Sequence, residues 1–113
     1  MAFPERGDAL WLDFNPQAGH EQVDRRPALV LSPSSYNSKV RLALFCPITS
    51  QVKGYPFEVA IPEGKEVSGV ILADQVKSLD WQKRKAELIC KLPDATLDEV
   101  TKKLKVLLPF NTF

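Results

Sequence analysis

Proline, glycine and short polar clusters break this chain so often that each apolar stretch between them has room for only one short element. Nine prolines and five glycines in 113 residues set that spacing. Asp8-Ala-Leu-Trp-Leu-Asp-Phe14 alternates, placing Leu10, Leu12 and Phe14 on one face of a half-buried strand. Asn15 to Arg25 is rich in turn formers and reads as a long surface loop. Pro27-Ala-Leu-Val-Leu-Ser32 is a continuous apolar run ended by Pro33, the pattern of a buried strand. Ser34–Ser38 reads as a turn. Val40–Cys46 alternates again, with Val40, Leu42, Leu44 and Cys46 expected inward. A polar loop at Thr49–Gly54 follows. Strands are then expected at Phe57–Ile61, Gly69–Ala73, Val76–Leu79 and Glu87–Leu92, the last two flanking the charged stretch Trp81–Lys85.

The period changes only at the end. Leu97, Val100, Leu104, Leu107 and Leu108 form a helical stripe. Thr96 with Glu99 predicts a capping box. Lys102, Lys103 and Lys105 suit the helix C-terminus, and Pro109 stops the helix. Many short strands with one terminal helix predict a mainly β fold, a small, strongly bent sheet or barrel whose face or open end the helix covers.

No repeat or linker divides the chain, so residues 1–113 are expected to form one domain, within the usual size of about 100–150 residues. Hydrophobic residues at 44% and charged residues at 26% are ordinary for a globule rather than a disordered or fibrous chain. No apolar run reaches the roughly 18 residues of a membrane helix, and the start lacks a signal-peptide core. A cytoplasmic protein with no membrane association is expected. Cys46 and Cys90 each lie in apolar strand-like stretches and lack a CxxC partner, so both are expected to be buried reduced thiols. The net charge of +1 hides a local excess. Residues 19–56 carry Arg25, Arg26, Lys39, Arg41 and Lys53 against Glu21 and Asp24, a local +3 able to hold a polyanion at one place.

The familiar catalytic sets are missing. One His allows no readable Ser-His-Asp arrangement, no glycine-rich phosphate loop exists, and no cluster of metal ligands is present. Neither metal nor cofactor is therefore expected. RNA strand cleavage needs neither, because the substrate's own 2′-hydroxyl attacks the adjacent phosphate. The protein has only to orient that attack, stabilise the extra phosphate charge and handle two protons. Arg suits the charge, and a hydroxyl adds a hydrogen bond without charge.

Several segments in fixed order carry a resemblance. They are Gly7-Asp8, Gly19-His20-Glu21-Gln, Arg26-Pro27-Ala-Leu-Val-Leu-Ser-Pro33, Pro47-Ile-Thr49-Ser50, Lys53-Gly-Tyr-Pro-Phe57-Glu-Val and Gly69-Val-Ile-Leu-Ala-Asp74-Gln75-Val-Lys77-Ser, ending at Asp80-Trp81. Together they resemble the MazF/PemK family of toxin endoribonucleases over residues 7 to about 108. The resemblance implies an SH3-like small barrel of the PemK/CcdB-like plasmid toxin kind with a C-terminal helix. It also implies a homodimer, metal-independent sequence-selective cutting of single-stranded mRNA, and a cognate MazE-like antitoxin whose acidic flexible tail occupies the RNA groove. The family's catalytic Arg falls on Arg26, its catalytic Thr on Thr49 and the acidic residue of its first loop on Glu21.

Arg26 is assigned to phosphate stabilisation, with proton donation to the leaving 5′-oxygen as a second role; its high pKa makes it a poor base. Thr49 is assigned a transition-state hydrogen bond. Glu21 is open to three readings: a solvated loop acid, a carboxylate orienting Arg26, or the acceptor of the 2′-hydroxyl proton. His20 reads as a solvated loop residue touching RNA at most. Arg25, Lys53 and Lys77 are phosphate contacts or surface charges, and Ser50 and Gln75 can read base edges. Trp11, Phe14 and Trp81 are expected in the core or a dimer interface, with Trp81 beside Lys83–Lys85 the best alternative stacking platform. Asp24-Arg25 stands where the family more usually has small or polar residues, which bears on recognition of flanking bases. Two rival functions share the fold: a gyrase-poison-like toxin with no enzymatic activity, and a single-stranded RNA-binding barrel without catalysis.

Overall fold

A computed structural model describes residues 3–14 and 24–108. Its elements run β1 (Asp8–Asp13), β2 (Arg25–Val30), α1 (Ser34–Val40), β3 (Leu42–Thr49), β4 (Glu58–Ala60), β5 (Val70–Leu72), β6 (Lys77–Asp80), β7 (Glu87–Lys91) and α2 (Asp94–Leu107). The antiparallel strands pair in the order β4-β5-β3-β2-β1-β7, with β6 also on β3. The fold is mainly β with a C-terminal helix, as the sequence pattern predicts. The expected barrel is not closed: among the described residues β4 and β7 do not pair with each other, and the result is an open, strongly bent sheet.

The central strands are buried on both faces. Along β1, Leu10 and Leu12 enter one core while Ala9 enters another; along β2, Ala28 and Val30 part from Leu29 in the same way. This explains why residues 28–31 are continuously apolar, since a strand covered on both sides has no polar face. One core gathers Phe45, Ala43 and Trp81 with Leu10 and Leu12. The other gathers Cys46, Ile48, Val59 and Ile71 beneath Leu97 and Val100 of α2. The helical stripe therefore packs first on its own sheet. Leu107 and Leu108 at its far end remain exposed.

Three local expectations are corrected. Ser34–Ser38 is not a turn but most of α1, which ends at Arg41 in the left-handed region (φ 60°). Its sequence is poor in helix formers, and tertiary hydrogen bonds hold it. Buried Asn37 accepts from Ser32 Oγ at 2.6 Å and donates to the carbonyls of Pro4 and Ser32, both at 2.9 Å. Its own carbonyl accepts from Trp81 Nε1 at 3.0 Å.

The facing of β3 also differs. Val40 belongs to α1, and Ala43 and Phe45 point inward while Leu44 is exposed. With apolar residues on both faces, period alone does not choose between them. Finally, α2 starts at Asp94 after an extended Pro93 with no side-chain cap, and Thr96 is buried, so the Thr96–Glu99 capping box does not form. Pro109 lies outside the described residues.

Both cysteines are free and buried, as expected. Loss of solvent, with the charge of Asp74 adding to it, pushes the Cys46 thiol up from 9.0 to about 12. A raised acid pKa gives stability that is whole below the unfolded value and is lost as pH climbs toward the folded one. Between pH 8 and pH 10.5, Cys46→Ala should lose less stability than the parent chain. The difference should be about 2 kcal/mol in urea unfolding, because the Cys46 thiol ionises on unfolding in the parent only, while Cys90 contributes equally to both.

Candidate functional site

Side chains alternate along β2, so adjacent Arg25 and Arg26 go to opposite faces. Arg25 turns away to tie three elements together. It donates to Asp13 Oδ1 at 2.7 Å, the Lys85 carbonyl at 2.9 Å and Glu87 Oε1 at 3.0 Å. Partial burial alone would lower its pKa, but these two carboxylates raise it above the ordinary value. Arg26 faces the other way. The β2–β3 register pairs Ala28 with Pro47, and continuing it by two residues sets Arg26 across from Thr49, the last residue of β3.

Arg26 and Thr49 line an open cleft of about 1050 Å³. Ser50, Lys53, Gln75 and Lys77 line it too, together with Trp11, Phe14, Tyr55 and Glu58. Six of the nine residues expected at the site are thus brought together. Arg25 does not join them, and His20 and Glu21 lie outside the described residues. Thr49 Oγ1 accepts from the Gln51 N–H at 3.1 Å, which leaves its own proton free to donate into the cleft.

Among the aromatics, Trp81 is buried in the core, as expected, and the alternative of a stacking platform there falls. Trp11, expected inside, is 39% exposed and lines the cleft. Lys77 Nζ stands 5.9 Å from the centroid of the Phe14 ring, so a cation and an aromatic face share one wall. Such a wall can stack bases while drawing in their phosphates.

The loop Ser50–Pro56 is exposed yet held at several points. Both carboxylate oxygens of Glu58 accept backbone N–H groups, from Lys53 at 3.0 Å and Gly54 at 3.1 Å. Tyr55 donates to Asp74 Oδ2 at 2.7 Å, a bond that raises the phenol's pKa. From α2, Lys103 Nζ donates to the Pro56 carbonyl at 2.6 Å.

The PemK-like, MazF-like toxins of type II toxin-antitoxin systems are described by a family model that matches residues 5–108. The chain belongs to this family. It is 47% identical over 105 residues to the endoribonuclease toxin MazF of Escherichia coli strain K12, covering 93% of this chain and 94% of that one. Endoribonuclease EndoA of Bacillus subtilis is 32% identical over 114 residues, covering 96% and 97%. Among solved structures, MazF of Deinococcus radiodurans superposes with a TM-score of 0.86 at 54% identity, covering 96% of this chain and 98% of that chain. A MazE–MazF complex from the same organism contains a chain with a TM-score of 0.86 at 47% identity, with the same coverage.

Three contributors to the shape of this cleft have residue types that alone give them no role: Glu58, Lys103 and Gly69. Glu58 and Lys103 act on backbone atoms, so their chemistry alone does not mark them, although Glu58 lies in the 53–59 segment that carries the resemblance. Gly69 adopts φ +110°, and a Cβ there would overlap the Thr49 carbonyl oxygen and lie 2.8 Å from its carbonyl carbon. In the sequence, Gly69 stands just before an apolar strand and opens one of the segments that carry the resemblance. Gly69→Ala should cost about 3 kcal/mol or more, since a left-handed conformation and a backbone overlap add together. Urea unfolding should record that loss. Any folded fraction should cleave poorly, because Thr49 and Ser50 have to shift.

Proposed function

We propose that this chain is the endoribonuclease toxin of a type II toxin-antitoxin system, and that the cleft joining Arg26 to Thr49 cuts single-stranded mRNA. The observation that carries the reading is that pairing. A guanidinium and a free hydroxyl proton stand at facing strand ends beside Lys53, Lys77 and two aromatic rings. Arg26 faces solvent, with 61% of its side chain exposed, so it is open to a phosphate.

In the proposed reaction the 2′-oxygen bonds to the neighbouring phosphorus and the bond from phosphorus to the 5′-oxygen breaks. The 2′-hydroxyl gives up its proton and the leaving 5′-oxygen gains one, leaving a 2′,3′-cyclic phosphate and a 5′-hydroxyl. Negative charge grows on the phosphate oxygens as the fifth bond forms. Arg26 and Thr49 supply donors where that charge develops. Lys53 and Lys77 attract the flanking phosphates, and Ser50 and Gln75 present groups to base edges. A choice of sequence follows from a loop held rigid enough to discriminate.

Residues 1–113 act as one domain on this reading, in the cytoplasm and as a homodimer. No described helix is long and apolar enough to cross a membrane. The likeness to MazE–MazF complexes supports a MazE-like antitoxin as partner, and its acidic tail would compete with RNA for Arg26, Lys53 and Lys77. Incubation with a long RNA in excess EDTA should give discrete cuts at one short word with cyclic-phosphate ends. Arg26→Ala should lower the rate at least about a hundredfold, the scale for losing a donor to developing charge. Intact RNA with the unaltered protein overturns the reading.

A further inference from the structure

Arg26 does not enter the cleft unaccompanied. Its Nε donates to Asp24 Oδ1 at 2.9 Å. Positions 24 and 26 fall on the same face of an extended chain, which is why a carboxylate two residues away reaches this nitrogen. Asp24 is fixed from behind, since its carbonyl oxygen accepts from the Phe14 N–H at 2.7 Å. Both side chains are largely exposed, 61% for Arg26 and 46% for Asp24, so the pair adds little to folding.

A guanidinium grips a phosphate either along its Nε side or across its two terminal nitrogens. Asp24 occupies Nε and leaves the terminal edge. We propose that Asp24 is a positioning residue for cleavage: it fixes the plane of the Arg26 guanidinium so that Nη1 and Nη2 meet the scissile phosphate. This inference rests on the ribonuclease reading above.

The same carboxylate repels RNA. It weakens binding of the substrate phosphate, while the donor it orients acts most strongly on the extra charge that appears at the pentacoordinate phosphorus. Asp24 therefore moves KM and kcat in ways that can be separated. Charge alone would alter KM only, and a structural part would alter stability first.

The test is steady-state cleavage of a short fluorescent RNA by the unaltered protein, Asp24→Ala and Asp24→Asn, with thermal unfolding of each. Asp24→Ala should lower kcat about tenfold, the scale of a misaimed catalytic group, while KM also falls. Asp24→Asn keeps an oxygen that accepts from Nε, so it should recover most of the lost kcat yet retain the lower KM. Unfolding midpoints should stay together. A kcat for Asp24→Ala equal to that of the unaltered protein overturns the inference, as does an Asp24→Asn variant no better than Asp24→Ala. Failure of the unaltered protein to cut RNA is a separate result, which removes the ribonuclease reading and this inference with it.

Discussion

Burial of β1, β2 and β3 on both faces is the constraint from which the rest of this molecule follows. Successive side chains of one strand feed different cores, as Leu29 and Val30 do. A flat sheet of this size would need two separate covering layers. Here the sheet bends instead: β3 pairs with β6 through its first half and with β5 through its last residues. That division carries the end of β3 away from the body of the sheet. Thr49 then stands at the end of the β3–β5 ladder, opposite Val70, and lines the opening with Arg26.

The polar groups around that opening divide into those that aim and those that are aimed. Arg25 locks the start of β2 to β1 and β7 through Asp13 and Glu87, and alternation then commits Arg26 to the cleft. Glu58 of β4, Lys103 of α2 and Asp74 of the turn between β5 and β6 restrain the loop, so the backbone between Thr49 and Pro56 enters the cleft already shaped. Most of these bonds are exposed and individually weak. Their worth lies in geometry, because donors that are already placed need no reorganisation as charge develops.

How far the sequence was legible depends on whether a signal is local. The strands β1 and β2 were readable because alternation and a continuous apolar run are properties of neighbours. The facing of β3 was not, since two cores make both of its faces apolar. Asn37 creates α1 through bonds to Pro4, Ser32 and Trp81, and nothing in Ser34–Val40 itself announces a helix. At the site, the charged and hydroxylic residues were legible by chemistry and by resemblance. The side of the strand taken by Arg25 followed from alternation, yet its charge drew it into the same group as Arg26. The partner at Arg26 Nε is Asp24, although Glu21 was the carboxylate weighed for that part.

Charge explains how a nearly neutral protein can serve a polyanion. The net charge is +1, so attraction does not come from the molecule as a whole. Arg26, Lys53 and Lys77 line one cleft in which Glu58 already spends its oxygens on backbone N–H groups. Glu66 lines it as well, so three cations stand against two carboxylates, a small positive excess within a nearly neutral surface. A single strand, with bases free to meet Trp11 and Phe14, can use both the charge and the rings; a duplex, with its bases stacked inside, can use only the charge. On the proposed reading, selectivity for single strands comes from the aromatic rings, while the cations set affinity and make it depend on salt. An acidic protein tail can match the cations without the bases, so on the proposed reading substrate and antitoxin compete for the half of the site that carries charge.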